Sequence, residues 1–172
     1  MEKKILVSYA TTHGSTQEVA EVLAATIRDQ GVAADVQPAR SVKILDGYNA
    51  VILGSALYIG HAQKDALKFL YRFEAPLSSG LPIAIFAGGP LKPEDDCQEI
   101  RRMLDQDLAR FSWLKPVAVE LIGGKFDPSK GVKFPWGLLP AIKSMTASDL
   151  RDWEGIRKWT VNITRLFQLN WA

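Results

Sequence analysis

Five short apolar runs recur along the chain, and most are followed by a stretch with helical period. They are KILVSY (4–9), AADVQP (33–38), NAVILGSAL (49–57), LPIAIFAGG (81–89) and PVAVELIGG (116–124). Strands that are apolar almost without interruption, rather than on alternate residues, bury both faces. That is the property of parallel strands covered by helices on two sides. Between the runs, Val19, Leu23 and Ile27 recur at helical spacing, and so do Ala66, Phe69, Leu70 and Phe73. Ile100, Met103, Leu104, Leu108 and Phe111 mark a third helix, and Trp153, Ile156, Thr160, Ile163 and Phe167 a last one. Gly31 stops the first helix, Ser148 is expected to cap the last, and SVKILDG (41–47) reads as a connection with a helical turn or two. This alternation predicts an α/β fold: a doubly wound, five-stranded parallel sheet of order 2-1-3-4-5, with AADVQP at an edge. One domain is expected over residues 1–172, with an insertion at 124–147 between strand 5 and the last helix.

Composition narrows the function more than the fold. The single cysteine, Cys97, cannot form an internal disulfide, so a reducing, cytoplasmic setting is expected. A net charge of +2 without an aromatic-rich basic motif argues against nucleic acid as a partner. No run reaches the length of a membrane-spanning helix, and the first residues are too briefly apolar for a signal peptide. Two histidines and one cysteine offer neither a metal site nor a thiol nucleophile, and no catalytic triad is visible.

Doubly wound sheets bind ligands beyond the carboxyl ends of the strands, at the switch point between strands 1 and 3. The first segment there is ATTHGSTQE (10–18). Gly14 permits a tight turn, and the hydroxyls of Thr11, Thr12, Ser15 and Thr16 can donate to a phosphate at a helix N-terminus. The lysine of a nucleoside-triphosphate loop, G-x-x-x-x-G-K-S/T, is missing, and so is G-x-G-x-x-G. A neutral hydroxyl loop suits a single phosphate. Ser15 to Glu18 also matches a capping box, which needs no ligand. His13 reads as a residue at the rim of the loop. After strand 3, GSALYIGH (54–61) places Tyr58 to stack on a flat ring and Gly60 to present a peptide group at its edge. After strand 4, Gly88 and Gly89 allow close approach to the other edge, or make a plain turn. Three such loops around one crevice describe a flavin mononucleotide site.

The segment SYATTHGSTQEVA (8–20) resembles the flavodoxin phosphate loop, T/S-x-T-G-x-T in form, with one extra residue. The resemblance runs the length of the chain. It is nearest to the flavodoxin-like branch that includes menaquinone-dependent protoporphyrinogen oxidase, through ALYIGHAQKDALKFL (56–70), LIGGKFDP (121–128) and Asp152-Trp153. The resemblance implies that Thr11, Thr12, Gly14, Ser15 and Thr16 hold the FMN phosphate, with His13 beside them. It implies that Ala56, Leu57, Tyr58, Gly60 and His61 line the isoalloxazine, and Gly88 and Gly89 its far side. Two features depart from the family pattern: Thr12-His13 fills the loop unusually, and the loop after strand 4 lacks a stacking aromatic, which leaves that ring face open to a substrate.

The insertion mixes Lys125, Lys130, Lys133 and Lys143, against Asp127 alone, with Phe126, Phe134, Trp136, Leu138, Leu139 and Ile142. It can act as a lid beside the flavin, touch an anionic bilayer from the cytoplasmic side, or simply pack on the domain. The expected function is an FMN-dependent oxidoreductase of the protoporphyrinogen oxidase type, passing electrons from an organic donor to a quinone. The alternatives are a flavodoxin electron carrier serving protein redox partners and, from another class, a flavin-free binding or regulatory module.

Overall fold

The computed structural model describes residues 2–58, 60–131 and 140–171. In chain order the elements are β1 (Lys4–Ala10), α1 (Ser15–Asp29), β2 (Ala33–Pro38), β3 (Ala50–Tyr58), β4 (His61–Ala62), α2 (Lys64–Arg72) and α3 (Glu74–Ser78). Then follow β5 (Ile83–Gly88), α4 (Cys97–Leu108), β6 (Ala118–Ile122), β7 (Lys125–Phe126), a short 3-10 helix (Pro128–Lys130), α5 (Pro140–Lys143), β8 (Ser148–Asp149) and α6 (Trp153–Leu169). The five long strands are parallel in the order β2-β1-β3-β5-β6, which is the expected 2-1-3-4-5. β4 adds a short antiparallel pairing to β3, and β7 pairs with β8 as a separate ribbon.

The continuous apolarity of the strands is explained by the two cores. Ile5, Val7 and Tyr9 of β1 pack on one face with Val19, Leu23 and Ile27 of α1 and Ile156, Ile163 and Phe167 of α6. Leu6 and Ala10 face the other way, onto Phe69 and Leu70 of α2. Burial of this kind stabilises the fold by about 25 cal/mol for each Å² of apolar surface removed from water. Thr160 and Thr164 are fully buried on α6. Each hydroxyl donates to the carbonyl four residues back, at 2.7 and 2.8 Å, so neither is left unsatisfied.

Several local expectations are corrected. Residues 41–47 contain no helix. The second helix breaks at Phe73, whose ring packs tilted against Phe69 with centroids 4.7 Å apart. Ser148 does not cap α6: it belongs to β8 and donates its hydroxyl to the Leu91 carbonyl. Asp152 is the cap, its carboxylate accepting from the Gly155 N–H at 3.0 Å. The chain from β6 therefore first folds back as the β7–β8 ribbon, and only then enters the helix. Phe134, Trp136, Leu138, Leu139 and Lys133 lie outside the described residues, as does the side chain of Ile142. No helix among the described residues is long and apolar enough to cross a membrane.

The register aligns the strand ends that matter. Tyr9 and Ala10 stand opposite Gly54 and Ser55, and Ala56 stands opposite Gly88. The connections after β1, β3 and β5 thus leave the sheet side by side.

Candidate functional site

Residues 11–14 link β1 to α1. The Thr11 hydroxyl accepts from the Gly14 N–H at 3.0 Å, and Gly14 adopts a φ of 91°, which glycine takes without strain. The helix then starts at once. Its first internal bond runs from the Glu18 N–H to the Gly14 carbonyl, and no side chain caps it. Among the described residues, no protein acceptor meets the N–H groups of Ser15, Thr16 and Gln17. The capping box expected from Ser15 and Glu18 is therefore not formed. Free N–H groups at the positive end of a 15-residue helix suit an anion.

The neighbouring hairpin, β3 to β4, is wired to this loop. The Gln63 side-chain amide donates to the Thr12 hydroxyl at 2.7 Å, and the Gln63 N–H donates to the Ser55 hydroxyl at 2.9 Å. Burial pushes the Tyr58 phenol up, and its hydrogen bond with Thr12 offsets part of that shift. The His13 and Tyr58 rings lie 6.4 Å apart and tilted. Gly60 turns the hairpin at φ 78° and packs against Met103. His61 faces α4 instead of the crevice: its Nδ1 lies 3.3 Å from the carboxylate of Asp107, a side chain only 3% exposed. That carboxylate also accepts from the Ala62 N–H, and it pairs with Arg110 at 3.1 Å.

These parts enclose a cavity of about 110 Å³. Of the residues expected from the sequence, Thr11, His13, Ser15, Thr16, Ala56, Leu57, Tyr58 and Gly88 line it. Thr12 and Gly14 stand behind it, occupied in the bonds just described. Gly60 and Gly89 line an adjoining trough of about 370 Å³ with Pro90, Ile100 and Met103. Leu57, Gly88 and Leu91 border both hollows. A Cβ on Gly88 would meet nothing closer than the Ser55 carbonyl at 4.0 Å, so that wall is flat and open.

The far wall was foreseen in part: Lys125 and Phe126 belong to the insertion read as a lid beside the flavin among other roles, whereas Ile122, Gly123, Gly124 and Arg151 were not assigned to the site. Ile122, Gly123, Gly124, Lys125, Phe126 and Arg151 all line the cavity from the chain beyond β6. Gly123 and Gly124 let two segments of backbone close up there. The Gly124 N–H donates to the Pro90 carbonyl at 2.7 Å, and the Leu150 N–H donates to the Gly124 carbonyl at 2.9 Å. For Gly123 and Gly124 the available signal was the doubled glycine at a strand end.

Arg151 organises the charge. Its side chain is 4% exposed and lies over the Trp153 ring at 4.5 Å. Its guanidinium reaches Glu18 at 2.7 Å and Asp149 at 2.6 Å, and it touches the Ser15 carbonyl at 3.4 Å. Hydrogen bonds from Arg151 hold both carboxyls below their usual range, and the carboxylates push the guanidinium up. Lys125 stands 3.5 Å from Glu18, and Lys130 donates to the His13 carbonyl at 3.0 Å.

Unpaired N–H groups at a helix start, a hydroxyl fringe and a flat glycine wall, in a cavity also lined by Leu57, Tyr58, Leu91 and Phe126, fit a phosphate joined to a planar ring. Among the described residues, no His, Cys, Asp or Glu cluster could hold a metal.

Comparison with known proteins points the same way. The family model described as "Flavodoxin domain" matches residues 6–149. Protoporphyrinogen IX dehydrogenase (quinone) of Escherichia coli K12 is 23% identical over 95% of this chain and 96% of its own length. A variant flavodoxin from Pseudomonas aeruginosa superposes with a TM-score of 0.61 at 13% identity, covering 96% of this chain and 99% of that one. Rubredoxin oxygen:oxidoreductase of Desulfovibrio gigas superposes at 0.60 with 16% identity, over 99% of this chain and 38% of that longer one.

Proposed function

The chain belongs to the flavodoxin domain family, and from that premise we propose that it is an FMN-dependent oxidoreductase of the protoporphyrinogen oxidase type, passing electrons from an organic donor to a quinone. FMN is its cofactor. When bound, FMN supplies the two-electron chemistry, and the protein binds it, orients it and excludes water. The hydroxyl loop would hold the phosphate; Leu57, Tyr58 and Gly88 would hold the ring.

The observation that carries the reading is the trough beside the cleft. It shares Leu57, Gly88 and Leu91 with the cofactor cavity; Pro90, Ile100 and Met103 give it an apolar side, and Asp95, Asp96 and Glu99 an acidic border. A planar apolar substrate can lie there against the flavin edge, with Met103 adapting to its outline. The relative's activity on protoporphyrinogen IX with a quinone supports the same assignment. Lys125 and Phe126 line the cavity, which supports the start of the 124–147 insertion as a wall beside the cofactor, within a single domain of residues 1–172. A cytoplasmic location is part of the reading, with the quinone met at a membrane surface.

The test is an anaerobic titration of the FMN-loaded protein, followed by absorbance. Protoporphyrinogen is expected to bleach the flavin directly, and menadione to restore it in one two-electron transition. Indifference to both, with reduction in two separate one-electron steps, would make the protein a carrier. Colourless protein that ignores added FMN would make it a flavin-free module. Replacing Thr11 and Thr16 together by Ala is expected to weaken FMN retention while the domain stays folded.

A further inference from the structure

The geometry points to Lys125, backed by Lys130, as the cationic contact for the FMN phosphate that the first loop lacks. The inference rests on the cofactor assignment and adds residues to it from the opposite end of the chain. Loop 11–14 offers hydroxyls, N–H groups and the His13 imidazole, and carries no lysine or arginine. The structure brings the missing cations across the cleft mouth. Lys125 lies in β7, fixed by pairing with Asp149 of β8, and it lines the cavity together with Ser15 and Thr16. Its side chain is 31% exposed, and its Nζ keeps only a loose 3.5 Å contact with Glu18. Glu18 does not depend on that contact, because Arg151 holds it at 2.7 Å. Lys125 can therefore swing from Glu18 to a dianion at the start of α1, leaving no carboxylate stranded. Arg151 cannot do the same, since Asp149, Glu18 and the Ser15 carbonyl hold it in place.

Lys130 acts one step behind. It ends the 3-10 turn and spends one of its three ammonium N–H groups on the His13 carbonyl, 117 residues away in sequence. That bond leaves two ammonium N–H groups of Lys130 to reach a phosphate oxygen. Lys125, Lys130, His13 and Ser15 border a small hollow of about 30 Å³ together with Glu18 and Asp127, so both ammonium groups stand beside the start of α1. The local charges are Lys125, Lys130 and Arg151 against Glu18, Asp127 and Asp149, so they balance. The contact therefore works at short range, as a directed charge-assisted hydrogen bond, and sets dissociation more than encounter.

The test separates the phosphate from the ring. FMN and riboflavin, which lacks the phosphate, are titrated against the full-length apoprotein by quenching of flavin fluorescence. Lys125→Gln is expected to weaken FMN about tenfold, the scale of one charge-assisted hydrogen bond, and to leave riboflavin unchanged. Lys125→Arg should restore most of the difference, and Lys130→Gln should weaken FMN by roughly threefold. An FMN-to-riboflavin affinity ratio unchanged in the Lys125→Gln, Lys130→Gln double variant would overturn the inference, and so would equal losses for both ligands. A wild-type protein that binds neither flavin would overturn the cofactor assignment itself.

Discussion

Two connections meet at this site, and they are built of different materials. The first, residues 11–14, carries no carboxylate, lysine or arginine, and is shaped by the hydrogen bonds of the Thr11 and Thr12 hydroxyls and one left-handed glycine. It leaves helix N–H groups open. The last, from Gly123 to Asp152, brings a ribbon, a buried guanidinium and two lysines to the same place. The contrast teaches that an anion site can divide its work. Local backbone geometry presents donors, and a distant segment supplies charge and closes the wall. The first part tolerates change where space is free; the second does not, because backbone lies on backbone.

The sharpest way to break that contrast is at the two glycines. A Cβ on Gly123 would run into the Leu150 carbonyl, and neither partner is a flexible side chain. Gly123→Ala is expected to cost about 3 kcal/mol or more, or to detach the ribbon. The urea unfolding midpoint measures the first outcome. Loss of hydrogen-exchange protection at the Leu150 N–H, now bonded to Gly124, measures the second.

Arg151→Met comes next. It leaves Glu18 and Asp149 without their guanidinium, but both carboxylates are 43% exposed and can rehydrate. The expected loss is about 2 kcal/mol at neutral pH, below the cost of breaking a fully buried pair. The pH dependence sharpens the point. Glu18 and Asp149 are held below their ordinary values of 4.5 and 3.8, first of all by hydrogen bonds from Arg151. A depressed carboxyl contributes stability above its unfolded-state pKa, and that contribution is lost as pH falls through the lower folded-state value. Wild-type stability should thus fall as pH drops below about 4.5, and the variant should fall less across the same window. Parallel curves would show that Arg151 does not set these carboxyls.

How much of this was legible follows the same divide. The sheet order could be read because Leu6 and Val7 are both buried, on opposite faces, and so leave an unbroken apolar run. The first loop could be read because Gly14 and its hydroxyl neighbours lie within a few residues of one another. The capping box misled: Glu18 fits its spacing, yet Arg151, 133 residues away, claims the carboxylate. Ser148 misled for the same reason, since the Leu91 carbonyl takes its hydroxyl across 57 residues. The family resemblance implied His61 at the ring, but a buried Asp107 on α4 draws it aside. Spacing rules see only local partners, and the far wall of this cleft is joined to the first loop and to Pro90 by distant ones.

Gly14→Ala tests the tolerant side. Nothing lies within 4 Å of a Cβ there, so the only cost is the left-handed backbone, about 1 kcal/mol. A loss as large as that of Gly123→Ala would mean that the two connections are equally constrained, and the contrast would fail.

The smallest effect on stability is expected at Lys130. Its ammonium meets the His13 carbonyl at an exposed position, where water replaces a lost donor readily. Lys130→Gln should therefore move the unfolding free energy by only a few tenths of a kcal/mol. A substitution that leaves the fold untouched and still lowers the preference for FMN over riboflavin would separate the charge-supplying role of the last connection from any structural one. A drop of more than about 1 kcal/mol in stability would instead make Lys130 a brace for the first loop, and the division of work between the two connections would have to be redrawn.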